Sequence, residues 1–467
     1  MTDKRLFVKN NIFVFSNKIF SKLLTFGIMV FLTRQMNKES FGELTILIML
    51  SNIFNILQDF GSSFVIVREI AQRNIPSKQI LANTLLLKIC TGVVAFLAFV
   101  TFARFMNYNS TVIELSYLFA FGMVLQSLLL SIIKFFEGKE QMKYSSFVIV
   151  SERILIAILL ISFSYYFNYI KSFGQAFLLS NCITLVFSLI IIFRKSNIMF
   201  FFDKAIIKKI IYSAKYFLIF TIVAAFYNRF DIFYLSAKFD NSFVATYRAS
   251  TQIIESIYFI PLNMSISFLP FFSRLFSKEK FVLRGIYSKI NKQFLLLALF
   301  ICITIFIKSD AILSILYNKY SESFLMFSIL SLAIPFYFIN SLNGNLLIAM
   351  GKEKIVTTSM VISSIIKITL LILFIQKFGL IAIASIAAFS ESIAFLIQYI
   401  SIKKTGFKVT YTKKDLVLFS SLIFYGILLF VSTNLILNIV LFLCTGIIIS
   451  KEIILLIRDT LKKKLVQ

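Results

Sequence analysis

Apolar stretches of bilayer length recur from one end of this chain to the other, and the breaks between them are too short to hold a domain. They fall near 12–33, 41–64, 81–103, 112–135, 146–168, 173–193, 211–236, 243–269, 290–307, 324–349, 355–376, 379–401, 415–432 and 435–456. Crossing the hydrocarbon takes about 20 residues at 1.5 Å each, so every stretch is long enough. In lipid only a helix or a closed barrel satisfies its own backbone, and runs of this length are helical. The expectation is an all-α integral membrane protein of about 14 transmembrane helices. The breaks at 169–172, 377–378 and 433–434 are tight enough to make helical hairpins. No loop exceeds about twenty residues, which leaves no extramembrane domain.

Composition agrees once the charge is placed. The 467 residues are 59% apolar, yet the net charge is +27. In a globular domain those facts conflict; in a membrane protein with basic loops they do not. Counting Lys and Arg loop by loop gives about 31 on the side of the N-terminus and about 8 on the other, which orients both termini to the cytoplasm and requires an even number of spans. Because the charge is dispersed over many short loops, lipid headgroups are expected partners and nucleic acid is not. Two basic stretches, 200–215 and 270–292, alternate Phe, Ile and Leu with Lys and Arg at helical spacing. They read as helices lying on the inner leaflet. The basic start MTDKRLFVKN leads into a run too long for a signal-peptide core and reads as a cytoplasmic beginning.

Several chemistries lose their usual residues. Histidine is absent, which removes the commonest acid–base group and transition-metal ligand. Cys90, Cys182, Cys302 and Cys444 stand singly in apolar runs and read as reduced buried thiols. No residue is expected to be catalytic, and no metal or cofactor is expected.

Turn motifs repeat about 200 residues apart. Glu39-Ser40-Phe41 is echoed by Asn241-Ser242-Phe243, Gly138-Lys139-Glu140 by Gly351-Lys352-Glu353, and Lys171-Ser172-Phe173-Gly174 by Lys377-Phe378-Gly379. Three echoes in one order indicate two six-helix halves. An even helix count per half makes the repeat parallel. The expected organisation is a six-helix bundle over 1–200, a second over 201–404, and an extra helix pair over 405–467.

Charges inside the spans are costly, about 2.5 kcal/mol or more each at mid-bilayer, and need a partner or a purpose. Lys215 and Lys451 lie near cytoplasmic ends and are read as snorkelling, and Glu114 as interfacial. Lys18, Lys22, Lys88, Arg153, Arg229, Arg248 and Lys367 remain, against Asp59, Glu152, Asp231, Glu255 and Glu391. One reading pairs them as structural bridges, Arg229 with Asp231 or Arg248 with Glu255. The other makes the excess cations the lining of a wet cavity for an anion, since pairing every acid still leaves bases over. Arg and Lys are the usual partners of phosphate. Asp231, Glu255 and Glu391 are the candidates for carrying a coupled ion or proton.

The second span carries the most specific pattern. Asn52, Asn55, Asp59 and Ser62 fall at i, i+3, i+7 and i+10, a polar stripe that must face protein or water. Around it stand Arg34, Phe41-Gly42, Asp59, Gly61, Arg68, Glu69 and Ala71, with Met36-Asn37 where Leu-Gly is usual. This pattern resembles the first helix pair of the Wzx-type O-antigen and polysaccharide flippases, of the multidrug, oligosaccharidyl-lipid and polysaccharide exporter superfamily. The six-plus-six-plus-two arrangement and the Gly-Lys-Glu turns resemble that superfamily over nearly the whole chain, most densely in the first half. Close packing and turn geometry are the roles expected of Gly42, Asp59 and Gly61.

The resemblance implies a flippase of the bacterial inner membrane. It would move an undecaprenyl-pyrophosphate-linked oligosaccharide from the cytoplasmic to the outer leaflet by alternating access, for O-antigen, lipopolysaccharide or capsule. Other polysaccharide-assembly membrane proteins are conceivable partners. A multidrug-type exporter has the same fold, but its cavity favours acids. A membrane glycan polymerase or glycosyltransferase needs a large outer loop, and the longest here, near 308–323, is short.

Overall fold

The computed structural model describes residues 2–72, 75–195, 202–320, 323–432, 434, 437–438 and 440–446. Among these the chain is all helical. In order the helices are α1 (Thr2–Gln35), α2 (Lys38–Asp59), α3 (Ser62–Gln72), α4 (Ser77–Phe105), α5 (Ser110–Gly138), α6 (Met142–Ser164) and α7 (Tyr169–Lys195). There follow α8 (Lys204–Lys238), α9 (Asn241–Lys278), α10 (Lys280–Leu316), α11 (Phe324–Ser331), α12 (Ala333–Ala349), α13 (Glu353–Lys404) and α14 (Lys413–Val431). Among the described residues, ten helical stretches are long and apolar enough to cross a membrane. The side chains of Asn11 and Asn228, Lys451, and the last span beyond 446 lie outside the described residues.

Local chemistry sets the helix ends. Asn37 accepts the Ser40 N–H at 2.8 Å and starts α2. Asp203 accepts the Ala205 N–H at 2.8 Å and starts α8. Thr412 and Asp415 form a reciprocal capping box for α14. In α13 the backbone at Gly379 turns to φ 56°, ψ −135°, which divides the 52-residue helix into two pieces of bilayer length. The turn expected at Lys377-Phe378-Gly379 is therefore a single-residue hinge.

Two expectations shift. The second span stops at Asp59 rather than running on to 64. Phe60 (φ 37°) and Gly61 (φ 87°) are left-handed. The Phe60 N–H closes the last turn on Ile56 O at 2.8 Å, and the chain restarts as the short α3. The basic stretches at 200–215 and 270–292 are not separate surface helices where the structure describes them. The first, from Lys204 on, is the start of α8; the second is shared between the end of α9 and the start of α10. No breaker interrupts α8, whose 35 residues rise about 52 Å, well beyond the ~30 Å hydrocarbon.

Contacts group the residues into two compact units, 1–248 and 249–467, with the division inside α9. In the first unit α4 packs on α5, α5 and α6 on α7, and α1 on α6. One core cluster joins Ile66, Ile80, Leu129, Ile132, Phe136 and Ile192. Gly42 sits so close to α9 that a Cβ there would lie 1.9 Å from Asn241 O, so only glycine fits. In the second unit α10 and α14 share Leu296, Phe300, Leu422, Tyr425 and Leu429. There Lys292 Nζ meets Asp415 at 2.6 Å. Large apolar side chains stay exposed in mid-helix, such as Val94 and Phe424, as on a lipid-facing surface.

Candidate functional site: an arginine-lined crevice and a buried lysine

The polar stripe of α2 divides along its length. Asn52 is exposed, Asn55 half-buried, and Asp59 and Ser62 are buried. Its buried end is closed by Lys88 of α4, which is 0% exposed. Lys88 Nζ lies 2.7 Å from Asp59 Oδ1. It also donates to Ser127 O of α5 at 2.9 Å and to Ser63 Oγ at 3.5 Å. An ammonium has three protons, and here each has an acceptor. Lys88 therefore does not line a cavity as expected; it ties α2, α3, α4 and α5 together. Gln58 joins this joint, donating to Lys88 O at 3.1 Å and to Val124 O at 3.2 Å.

The open end of the stripe is different. Thr45, Ile48, Met49 and Asn52 of α2 line a crevice with Met29 of α1, Arg229 and Ile232 of α8, and Arg248 of α9. The space is about 10 Å³, room for roughly one water. Two of the seven expected cations thus converge, both half-buried. No carboxylate is among the described lining side chains. Helical rise brings them together: Arg229 lies about 14 Å before the end of α8 and Arg248 about 10 Å after the start of α9, on helices joined by a tight turn. Asp231, two residues from Arg229, is buried and accepts a hydrogen bond from the Tyr247 hydroxyl. Two arginines beside an asparagine are residue types that favour an oxyanion such as a phosphate, which a space this small admits only after the crevice widens.

The other cations are not among the described residues that line the crevice. Lys18 is exposed and Lys22 half-buried on α1. Arg153 is half-buried on the neighbouring α6, its Nη1 3.6 Å from Glu152 Oε1. Helical rise puts Lys22 and Arg153 at a similar level, each roughly 17–20 Å from the ends of α1 and α6 that precede α2 and α7. Lys367, half-buried on α13, belongs to the second unit.

The second unit holds an acidic group of its own. Asn340 donates to Glu391 Oε2 at 3.0 Å and to Glu391 O at 3.1 Å. Tyr258 of α9 stacks on Tyr337 of α12, centroids 3.7 Å apart and planes 6° apart. Glu255 precedes Tyr258 by one helical turn, and Tyr337 precedes Asn340 by one turn. Tyr258, Tyr337 and Asn340 were not singled out from sequence, although their i, i+3 spacing inside apolar spans was available as a signal. The described residues contain no group of three His, Cys, Asp or Glu side chains arranged to hold a metal ion.

At the far end of α2 from the crevice, α3 is bolted to α8. Glu69 accepts Lys209 Nζ at 2.6 Å and Arg68 Nη2 at 2.9 Å. Burial pushes the Glu69 carboxyl up, but Lys209 and Arg68 outweigh it and hold the group below its ordinary value.

Comparison with known proteins gives the family and the fold. The sequence profile of the family described as polysaccharide biosynthesis protein matches residues 7–276. No curated protein sequence matches the chain. Among solved structures, the lipid II flippase MurJ in an inward closed conformation superposes with a TM-score of 0.73. It is 16% identical and covers 96% of this chain and 100% of that one. An inward-facing multidrug resistance MATE transporter gives 0.62 at 14% identity, over 82% and 95% of the two chains. The Vibrio cholerae MATE transporter VcmN in its bent form gives 0.58 at 14%, over 86% and 98%. At these identities the likeness is one of fold, and it agrees with the all-α membrane architecture expected from the sequence.

Proposed function

Because the chain belongs to the polysaccharide biosynthesis protein family, we propose that it is a flippase for lipid-linked oligosaccharides. It would move an undecaprenyl-pyrophosphate-linked sugar unit from the cytoplasmic to the outer leaflet by alternating access. The observation that carries this reading is the convergence of Arg229 and Arg248 on one crevice. A pyrophosphate is an oxyanion of the kind that arginine side chains bind. Lys18, Lys22 and Arg153 on α1 and α6 are further candidates for headgroup contact in the first unit, and Lys367 is the candidate in the second. Lys88, closed off by Asp59, has no part in it. Asp231, Glu255 and Glu391 are the groups through which an ion or proton could be coupled. The bacterial inner membrane with both termini cytoplasmic, and six-helix halves as the moving parts, belong to the same proposal.

The Glu255, Tyr258, Tyr337 and Glu391 group favours a second reading, an exporter of organic cations, because carboxylates and stacked aromatic faces attract cations. Purified protein in proteoliposomes separates the two. Leaflet-to-leaflet movement of a labelled undecaprenyl-pyrophosphate oligosaccharide is measured for wild type, Arg229→Ala and Lys367→Ala. The flippase reading expects movement by wild type that collapses in the variants while their folding is intact. Export of organic cations with no movement of the lipid gives the second reading instead.

A further inference from the structure

The first three turns of α8 have two opposite faces, and the first unit uses only one. Ile206, Ile210 and Ala214, at i, i+4 and i+8, are buried against Val65 of α3. Lys209 is fixed beside them by Glu69 at 2.6 Å, and the Asp203 N–H is held by Asn83 Oδ1 at 2.9 Å. The other face carries a groove of about 410 Å³. Its described apolar lining is Phe202, Ile207, Ile211 and Tyr212; its described charged lining is Lys204, Lys208 and Lys215, with no acid among them. Positions 204, 208, 211 and 215 run straight along one helix face. Lys215 Nζ rests 4.0 Å from the Tyr212 ring centroid, which holds that ammonium over the groove's apolar wall.

The level of the groove decides what fits it. From Lys215 to Lys238 the helix rises about 35 Å, enough to fill the hydrocarbon layer, so the turns before Lys215 stand among headgroups. A surface there meets phosphate and the upper part of acyl chains. We infer that this groove is a docking surface for an anionic glycerophospholipid of the adjoining leaflet. Its phosphate sits between the lysines, which act as point charges, and its first methylenes lie on Phe202, Ile207 and Ile211. Because Glu69 and the buried isoleucines already fix the helix, the surface is preformed and little ordering accompanies binding. The inference rests on the groove and its level in the bilayer, and it holds whichever cargo the protein carries.

Native mass spectrometry of the full-length detergent-purified protein, titrated with phosphatidylglycerol or phosphatidylethanolamine, tests it. Wild type should retain phosphatidylglycerol at least ~10-fold more tightly. The triple variant Lys204→Gln, Lys208→Gln, Lys215→Gln should bind both lipids alike, and the corresponding triple Lys→Arg variant should keep the preference. Lys403→Gln, Lys404→Gln, Lys408→Gln, which removes as much charge elsewhere, should leave it unchanged. Ile211→Ser should weaken both lipids. Undiminished preference in the triple Gln variant overturns the assignment, as does an equal loss in the distant control. Tighter retention of a polyprenyl diphosphate than of phosphatidylglycerol, lost in the triple Gln variant, also overturns it and makes the groove a cargo port.

Discussion

Lys88 and the Arg229–Arg248 pair look alike in the sequence, since each is basic and stands inside an apolar span. In the structure they are opposites. The Lys88 ammonium is wholly enclosed and saturated by Asp59, Ser63 and the Ser127 carbonyl. Arg229 and Arg248 instead line space beside Asn52 and Thr45. The α2 stripe supplies both sites, its Asp59 end closed and its Asn52 end open. A charge inside the membrane is therefore informative only together with its surroundings: enclosed on every side, it is a joint between helices; lining space, it is a candidate for cargo.

Breaking the joint should have the largest effect. Lys88→Ala leaves Asp59 buried without its cation, which costs about 3–5 kcal/mol. Little folded protein should be recovered, as read by size-exclusion chromatography and thermal melting. The double variant Lys88→Met, Asp59→Leu removes both charges and should restore most of that stability. If the double variant also transports at near wild-type rate, the pair is structural.

Opening the other side of the comparison should spare the fold. Arg229→Ala or Arg248→Ala should melt within a few degrees of wild type but bind a diphosphate roughly 10- to 100-fold more weakly, the worth of a lost charge-assisted contact. Arg229→Lys sharpens the point. It keeps the charge and loses the fork, so its affinity should fall between wild type and alanine.

The smallest effect belongs to the α3–α8 bolt. Glu69 titrates below its ordinary value in the folded protein. Its stabilisation is therefore complete above the unfolded value near 4.5 and is lost as pH falls through the lower folded value. The melting-temperature gap between wild type and Glu69→Gln should be about 1 kcal/mol in equivalent stability at pH 7. It should close on acidification to about pH 3. A gap that widens in acid contradicts the sign.

Much of this was legible in the chain. Hydropathy located the spans because lipid leaves the backbone no choice but to close its own hydrogen bonds. Gly379 was visible as a turn, and the Asn52 to Ser62 stripe as a wet face. What the sequence did not disclose lies between helices. The bond from Lys88 to Asp59 joins different helices, and no periodicity within one helix reveals its partner on another. Tyr258 and Tyr337 come from spans about 80 residues apart and meet only by tertiary packing. Helix ends shifted where a local backbone conformation decided, as at Phe60 and Gly61, rather than where apolarity ran out.

The crevice is best tested by equilibrium binding of short-chain prenyl ligands that differ only in the headgroup: farnesyl diphosphate, farnesyl monophosphate and farnesol. The diphosphate should bind tightest, the monophosphate more weakly and the alcohol weakest. That order should be erased in the Arg229→Ala, Arg248→Ala double variant and kept in Lys88→Met, Asp59→Leu. Equal binding of all three ligands by wild type, or an unchanged order after both arginines are removed, would contradict it.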